Sequence, residues 1–455
     1  MGKKLFEGFF KAPAQMLDKT VKLTLEAEHQ LINKRPFKVV QEYANTLGPG
    51  LTTGAADDDP SGIATYSQIG AGFNFRLIWL TLFSFPFMSV VQEMCARIGL
   101  VTGRGLAGNM RLHYSRKVLY AVTLLLFIAN TLNLGADLGA MAAVTKLLFP
   151  GASIILLIIG FGLASLLLQI YTTYARYAKI LKYLTLALFS YVFTAFAVGI
   201  NWGEVLRHTL IPSFNFGRAE TLMLCAFLGT TISPYLFFWQ TSQEVEEEIL
   251  KGRTTLAARR GAAPEEIKKM RIDVWSGMFF SNLIAFFIIA ACAATLFANG
   301  ITTITTADQA ASAIRPFAGE LTYFFFAAGI IGTGLLAIPV LAGSSAYAIS
   351  ESFSWRHGLY RKLHQAYSFY GIIIISVIVG VIENLLHIDP IKALLYSAIV
   401  NGLIAPVMIF FIVRISGKEK IMGEWKNSPL AGALGWIILI LMALSGVAAI
   451  TSLVL

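Results

Sequence analysis

The chain is poor in the residues that would build most kinds of soluble protein. It has only 14% charged residues in 455, against 56% hydrophobic ones, too apolar a balance for a soluble chain of this length. Its three cysteines, Cys95, Cys225 and Cys292, all fall inside apolar stretches and form no C-x-x-C pair, which argues against a disulfide framework and a thiolate metal centre. The six histidines, at 29, 113, 208, 357, 364 and 387, lie in the first forty residues or near the ends of apolar stretches, and none forms H-x-x-x-H. A histidine-based catalytic zinc site is therefore not expected. The first forty residues have no sustained apolar core, so no cleavable signal peptide is visible; they read as a cytoplasmic, partly amphipathic arm. The formal charge of +10 is spread between apolar segments and forms no basic domain, so nucleic acid is not an expected partner.

What is present is a series of apolar segments, each near the roughly 20 residues needed to cross a bilayer. They lie near 44–72, 76–101, 118–146, 151–172, 183–203, 219–249, 272–299, 320–350, 366–387, 389–413 and 430–454. This pattern predicts an all-α polytopic membrane protein of about eleven spans. With the amino terminus placed in the cytoplasm, all lysines and arginines fall inside except Arg76, Lys146, Arg207, Arg218, Arg315 and Lys392. Such an imbalance sets the orientation. The longest basic loop, from Lys251 to Arg271, reads as an orientation signal.

The chemistry is concentrated in the first segment, which reads TTGAADDDPSGIAT from Thr52 to Thr65. An ionised Asp at mid-membrane costs about 2.5–3.5 kcal/mol, so three adjacent ones require a use. Pro60 disfavours helical geometry at Asp59, and the helix is expected to break there. The sixth segment has a matching break in Gly229-Thr230-Thr231-Ile232-Ser233-Pro234-Tyr235. Two Pro-interrupted spans, five apart, point to an inverted-repeat transporter with its binding site at the breaks. The repeats would cover about 44–203 and 219–413, within a core of 44–413. Before them lies the arm of 1–43, and after them a cytoplasmic loop and a peripheral eleventh helix at 414–455.

Direction supplies the ligands. The inner half of span one ends near Ala56 and the outer half of span six near Thr230, so both present unpaired carbonyls and the negative end of a helix dipole. A cation would sit between them. Asp59 is the best-placed carboxylate, and Ser233 offers a hydroxyl from the other side. Asn130, Asn133 and Asp137 form a polar stripe in span three that must face protein or a water-filled path. Glu93 and Arg97 read as a local ion pair. Gln240 and Gln243 suit an inner vestibule or bonding between helices, and Thr333, Gly334 and Pro339 suit close packing in span eight.

The motifs Asp59-Pro60-Ser61-Gly62, Ser233-Pro234-Tyr235 and TGRGLAG at 102–108 resemble those of the NRAMP family of divalent-metal transporters. The resemblance implies a LeuT-like 5+5 inverted repeat with helices 1 and 6 discontinuous. It makes Asp59 a metal ligand and Ala56 and Thr230 carbonyl ligands. Among the positions that differ from the family, an Asn becomes Gly62 and a thioether becomes Ser233. A thioether favours soft ions, so its loss removes discrimination against hard cations. Mg²⁺ keeps most of its water and is held by one or two carboxylates, which suits Asp59 with Asp58 or Asp57 acting through water. This looks like the prokaryotic NRAMP-related magnesium transporters, whose members also carry Mn²⁺.

The family's span-six His is Tyr235 here, and its span-three acidic positions fall on Leu134 and Asp137. Tyr titrates near 10 and cannot relay protons at neutral pH, so transport is expected to be uncoupled. In span ten the family's metal-proximal Gln aligns with Ile404, anchored by Pro406, leaving Asn401 as the nearest polar group. The expected partners are the ion itself and membrane lipids, with no resident cofactor and no obligatory protein partner. Competing readings are a proton-coupled Mn²⁺/Fe²⁺ carrier, a Na⁺-coupled organic-solute carrier, a magnesium channel and a diphosphate-binding membrane enzyme. The last requires carboxylates one helical turn apart, and these are adjacent.

Overall fold

The computed structural model describes residues 35–215, 217–304, 306–386 and 390–454. Most of the expected amino-terminal arm, together with His387 and the junction of spans nine and ten, lies outside the described residues. Two units are distinguished: residues 1–47, within which α1 (Arg35–Thr46) is described, and a compact unit from Gly48 to Leu455.

The compact unit is helical throughout its described residues. Its first span is split into α2 (Pro49–Asp57) and α3 (Pro60–Phe73). There follow α4 (Trp79–Thr102), the short α5 (Leu106–His113), α6 (Arg116–Leu148) and α7 (Ile154–Tyr171). Span five comprises α8 (Tyr174–Leu184) and α9 (Phe189–Ala197), and α10 (Trp202–Leu210) follows it. Span six is split into α11 (Arg218–Thr231) and α12 (Pro234–Leu250). The rest is α13 (Pro264–Thr295), α14 (Ala307–Phe353), α15 (Tyr367–Leu385), α16 (Pro390–Ser416), α17 (Glu419–Met422) and α18 (Pro429–Val454). α14 kinks at Gly319, whose φ of 82° lies in the left-handed region that glycine adopts without a Cβ clash.

Among the described residues eight helices are long and apolar enough to cross a membrane, or nine if the bent pair Val400–Ser416 and Glu419–Trp425 is one span. The eleven expected segments exceed this by spans one and two. The halves of span one are too short to cross singly, and α4 carries Gln92, Glu93 and Arg97, all buried. These are the most polar spans because they face protein.

The helices pack as two groups. The split span one rests on α13, which also packs on α4, and α4 in turn packs on α12. The second group is built on α6, against which α14, α15 and α7 pack. The crossing of α2 with α13 is glycine-lined: a Cβ at Gly54 would sit 2.2 Å from the Gly277 carbonyl oxygen, and one at Gly277 2.0 Å from that of Gly50. Close backbone approach of this kind is how membrane helices gain packing energy.

Candidate metal site between two helix breaks

Both breaks are built the same way. α2 ends at Asp57, Asp58 leaves helical geometry (φ −88°, ψ 47°), Asp59 is extended (φ −67°, ψ 167°), and Pro60 opens α3. In the sixth span α11 ends at Thr231, Ile232 leaves the helix (φ −119°, ψ 60°), Ser233 is extended (φ −84°, ψ 133°), and Pro234 opens α12. The residue before each proline is pushed to extended backbone, and the proline, having no N–H to satisfy, starts the next helix.

Asp59 is the N-cap of α3. Its Oδ1 accepts the Gly62 N–H at 2.7 Å and the Ser61 hydroxyl at 2.6 Å, and its Oδ2 accepts the Asn133 side-chain amide at 2.8 Å. A carboxylate at a helix start is favoured by the unpaired amides and the dipole there. A Cβ at Gly62 would lie 3.3 Å from Thr230 Oγ1 and 3.5 Å from Asp59 Oδ1, so the two breaks face each other across Gly62. The Ala56 carbonyl accepts the Tyr235 hydroxyl at 2.9 Å. Ser233 turns back on its own span, donating to the carbonyls of Thr230 at 2.8 Å and Gly229 at 3.0 Å. Asp59, Gly62 and Thr230 are thus brought together, and direct bonds tie Ala56 to Tyr235 and Ser233 to Thr230.

Asp57 and Asp58 point elsewhere. Both approach the Ser281 hydroxyl of α13, Asp57 at 3.0 Å and Asp58 at 3.5 Å, and each retains one buried oxygen without a hydrogen bond. Asp57 ends α2, Asp58 leaves helical geometry and Asp59 is extended, so the three side chains leave the backbone in different directions. Accordingly no group of three His, Cys, Asp or Glu side chains converges on a metal position among the described residues. Any ion at the breaks would be held by Asp59 with carbonyl and hydroxyl oxygens.

The surrounding candidates divide. In the span-three stripe Asn133 holds Asp59, while Asn130 reaches across to Ser345 at 3.0 Å. Asp137, buried on the Asn133 face, interacts with Asp59 and with the backbone N–H of Ser61. Asn401 is buried on α16 with its carbonyl oxygen unbonded. Gln240 donates to Glu244 at 2.9 Å. Glu93 pairs with Arg97 at 3.5 Å, yet its closer partners are on α13: Arg271 at 3.0 Å and the Trp275 indole at 2.7 Å.

One residue that positions the site was missed in the sequence. Asp273 on α13 accepts the N–H groups of Gly48 (2.7 Å), Gly50 (2.7 Å) and Leu51 (3.0 Å), capping α2 from another helix. Its only signal was a solitary acid at the start of the seventh apolar segment. α2 is almost wholly buried, whereas Ser61, Thr65 and Gln68 lie half-exposed along one face of α3. Gln68 holds the 301–304 segment over that face, donating to the Thr302 carbonyl at 3.1 Å and accepting the Ile304 N–H at 2.5 Å.

Two facing discontinuous helices within an inverted-repeat bundle define the architecture of an alternating-access carrier. The chain belongs to the natural resistance-associated macrophage protein-like (Nramp) family, whose model matches residues 50–452. Among curated relatives, the divalent metal cation transporter MntH of Caldanaerobacter subterraneus subsp. tengcongensis is 25% identical over 408 residues, covering 88% of this chain and 91% of the relative. Among solved structures, the manganese transporter of Eremococcus coleocola, in complex with an aromatic bis-isothiourea compound, superimposes with a TM-score of 0.69 at 18% identity. That match covers 92% of this chain and 88% of the other. MhsT in complex with L-phenylalanine gives 0.57 at 12% identity, covering 89% and 98%. These likenesses assign the LeuT-like fold.

Proposed function

We propose that this chain carries divalent metal ions, Mg²⁺ and also Mn²⁺, into the cell by alternating access without proton coupling. The divalent cargo follows from family membership and from relatives named as divalent metal and manganese transporters. The finer reading rests on one observation: the atoms at the two breaks with lone pairs to offer a cation are oxygens, those of Asp59, Ala56, Thr230, Ser233 and Tyr235. Ser233 supplies a hydroxyl where the family has a thioether, and Tyr235 bonds the Ala56 carbonyl where the family has an imidazole. Hard oxygen ligands with a single carboxylate suit an ion that keeps part of its water. The protein would lie in the cell membrane with its amino terminus and basic loops inside. The membrane potential favours entry of a divalent ion by roughly 4.6 kcal/mol per 100 mV, so no second ion is required.

The test is uptake by proteoliposomes loaded with a Mg²⁺ dye and, in parallel, a pH dye. Mg²⁺ entry without acidification supports the proposal, and a strict need for a proton gradient overturns its uncoupled part. Asp137 favours a second reading, proton-coupled transport of Mn²⁺ or Fe²⁺, because a buried carboxylate beside Asp59 with no basic partner is a candidate proton carrier. On that reading Asp137→Asn removes acidification together with uptake.

A further inference from the structure

At the basic end of the bundle lies a cavity of about 450 Å³ that the transport reading leaves unused. Its walls include Arg104, Arg111, Arg116 and Arg259, together with Trp355 and Tyr360. Among the described residues none of these four arginines is within ion-pair distance of a carboxylate. The Nε atoms of Arg104 and Arg111 are buried without a hydrogen bond. Arg259 reaches only carbonyls, those of Gly103 at 3.3 Å, Arg253 at 3.2 Å and Thr254 at 2.9 Å.

The two acids in the cavity are already engaged. Glu246 accepts the Tyr347 hydroxyl at 2.6 Å and the N–H groups of Leu359 at 2.8 Å and Tyr360 at 3.1 Å. Glu351 accepts the Gly108 N–H at 2.9 Å and lies 3.7 Å from His357. A Cβ at Gly105 would meet Glu351 at 1.8 Å, so the glycines of the TGRGLAG stretch make room for this acid at the start of α5. The cavity therefore has four guanidinium groups facing two occupied carboxylates. Such a surplus of arginine forks is suited to a phosphoryl group.

We propose that this cavity binds a phosphate-bearing anion, supplied by the headgroup of an anionic phospholipid of the inner leaflet. The lipid source is favoured by an aromatic ladder at the cavity edge. Tyr120 stacks on Phe353 at 4.7 Å and Phe353 on Trp355 at 5.0 Å, and Phe353 and Trp355 are exposed. Exposed Trp and Tyr mark the membrane–water interface, and basic pockets between spans on the inner side suit anionic headgroups. The walls come from both helix groups: Arg104 and Glu246 follow or belong to α4 and α12, whereas Arg116 and Tyr347 belong to α6 and α14. A bound headgroup thus bridges the two helix groups at this end. The placement rests on the inside-positive orientation, and the binding does not depend on which metal is carried.

The experiment is thermal unfolding of the full chain in detergent with added phosphatidylglycerol, phosphatidylcholine, inorganic phosphate or ADP. It compares wild type with Arg111→Gln/Arg116→Gln and with the charge-matched control Lys268→Gln/Lys269→Gln, whose lysines are exposed and outside the cavity. Phosphatidylglycerol is expected to raise the midpoint by about 5 °C in wild type and control, with little rise in the arginine variant; phosphatidylcholine has no such effect. A comparable arginine-dependent rise with phosphate or ADP, and none with phosphatidylglycerol, keeps the anion site and overturns the lipid source. Equal rises in all three proteins, or no rise in wild type with any of the anions, overturn the site itself. Should the double variant fail to fold, Arg116→Gln alone, at an exposed position, is expected to reduce the phosphatidylglycerol rise, and an undiminished rise counts against the site.

Discussion

The Tyr235 hydroxyl donates to the Ala56 carbonyl at 2.9 Å, tying the first turn of one half-helix to the last turn of another across the centre of the bundle. A carbonyl has two lone pairs, so this bond leaves the second free for an ion while fixing the direction in which the oxygen points. Tyr235→Phe is expected to raise the KM for Mg²⁺ about fivefold, equivalent to a hydrogen bond worth about 1 kcal/mol, with folding retained. Tyr235→His is expected to add a pH dependence near 6.5 that wild type lacks. Uptake measured from pH 5.5 to 8 checks both, and an unchanged KM in Tyr235→Phe contradicts the positioning role.

Ser233 tests the choice of ion. Its hydroxyl lies on the Thr230 carbonyl at the edge of the break. Replacing it with Met introduces a soft ligand at that edge, so the Mn²⁺ to Mg²⁺ uptake ratio is expected to rise about tenfold, the effect of about 1.4 kcal/mol in relative binding. Competition between the two ions in proteoliposomes gives the ratio, and no change removes the argument from ligand softness.

Asp59 has two tasks that one substitution separates. Asn is as good an N-cap as Asp, so Asp59→Asn is expected to keep the bond to the Gly62 N–H and a melting midpoint within a few degrees of wild type. It removes the charge that would bind the ion, and transport is expected to fall below detection. Near-normal flux in a folded Asp59→Asn protein excludes the carboxylate as a ligand.

Asp273 carries a prediction about stability. Three amide donors at the start of α2 converge on its carboxylate, and Asp273→Ala leaves them without that partner. The expected cost is about 2–4 kcal/mol, seen as a lower melting midpoint and as faster amide exchange confined to α2. An unchanged exchange rate in α2 means the cap contributes nothing.

The breaks were legible in the sequence because the residue before a proline is constrained by its immediate neighbour, and Asp59-Pro60 and Ser233-Pro234 carry that constraint whatever surrounds them. The Asn133 to Asp59 bond was half legible: the stripe of Asn130, Asn133 and Asp137 showed a polar face but not what it faced. The sequence offers Asp58 or Asp57 as a water-mediated ligand beside Asp59, and it does not show that both approach Ser281 directly. That direction depends on the rotation of α2 against α13, where Gly50 and Gly54 meet Gly277, more than 200 residues further along the chain. Asp273 was hidden for the same reason. The second span was legible at 76–101 even though its helix α4 carries the buried Gln92, Glu93 and Arg97, because the apolar residues around them outnumber these three.

The measurement that bears most directly on the oxygen-lined site is anomalous diffraction from crystals grown with Mn²⁺. The account predicts one peak between the two breaks, at about 2.0–2.4 Å from an Asp59 oxygen when the ion binds directly and about 4 Å when a water intervenes, with the Ala56 and Thr230 carbonyls turned toward it. A peak on Asp57, Asp58 and Ser281 instead, or none between α2 and α11, contradicts it.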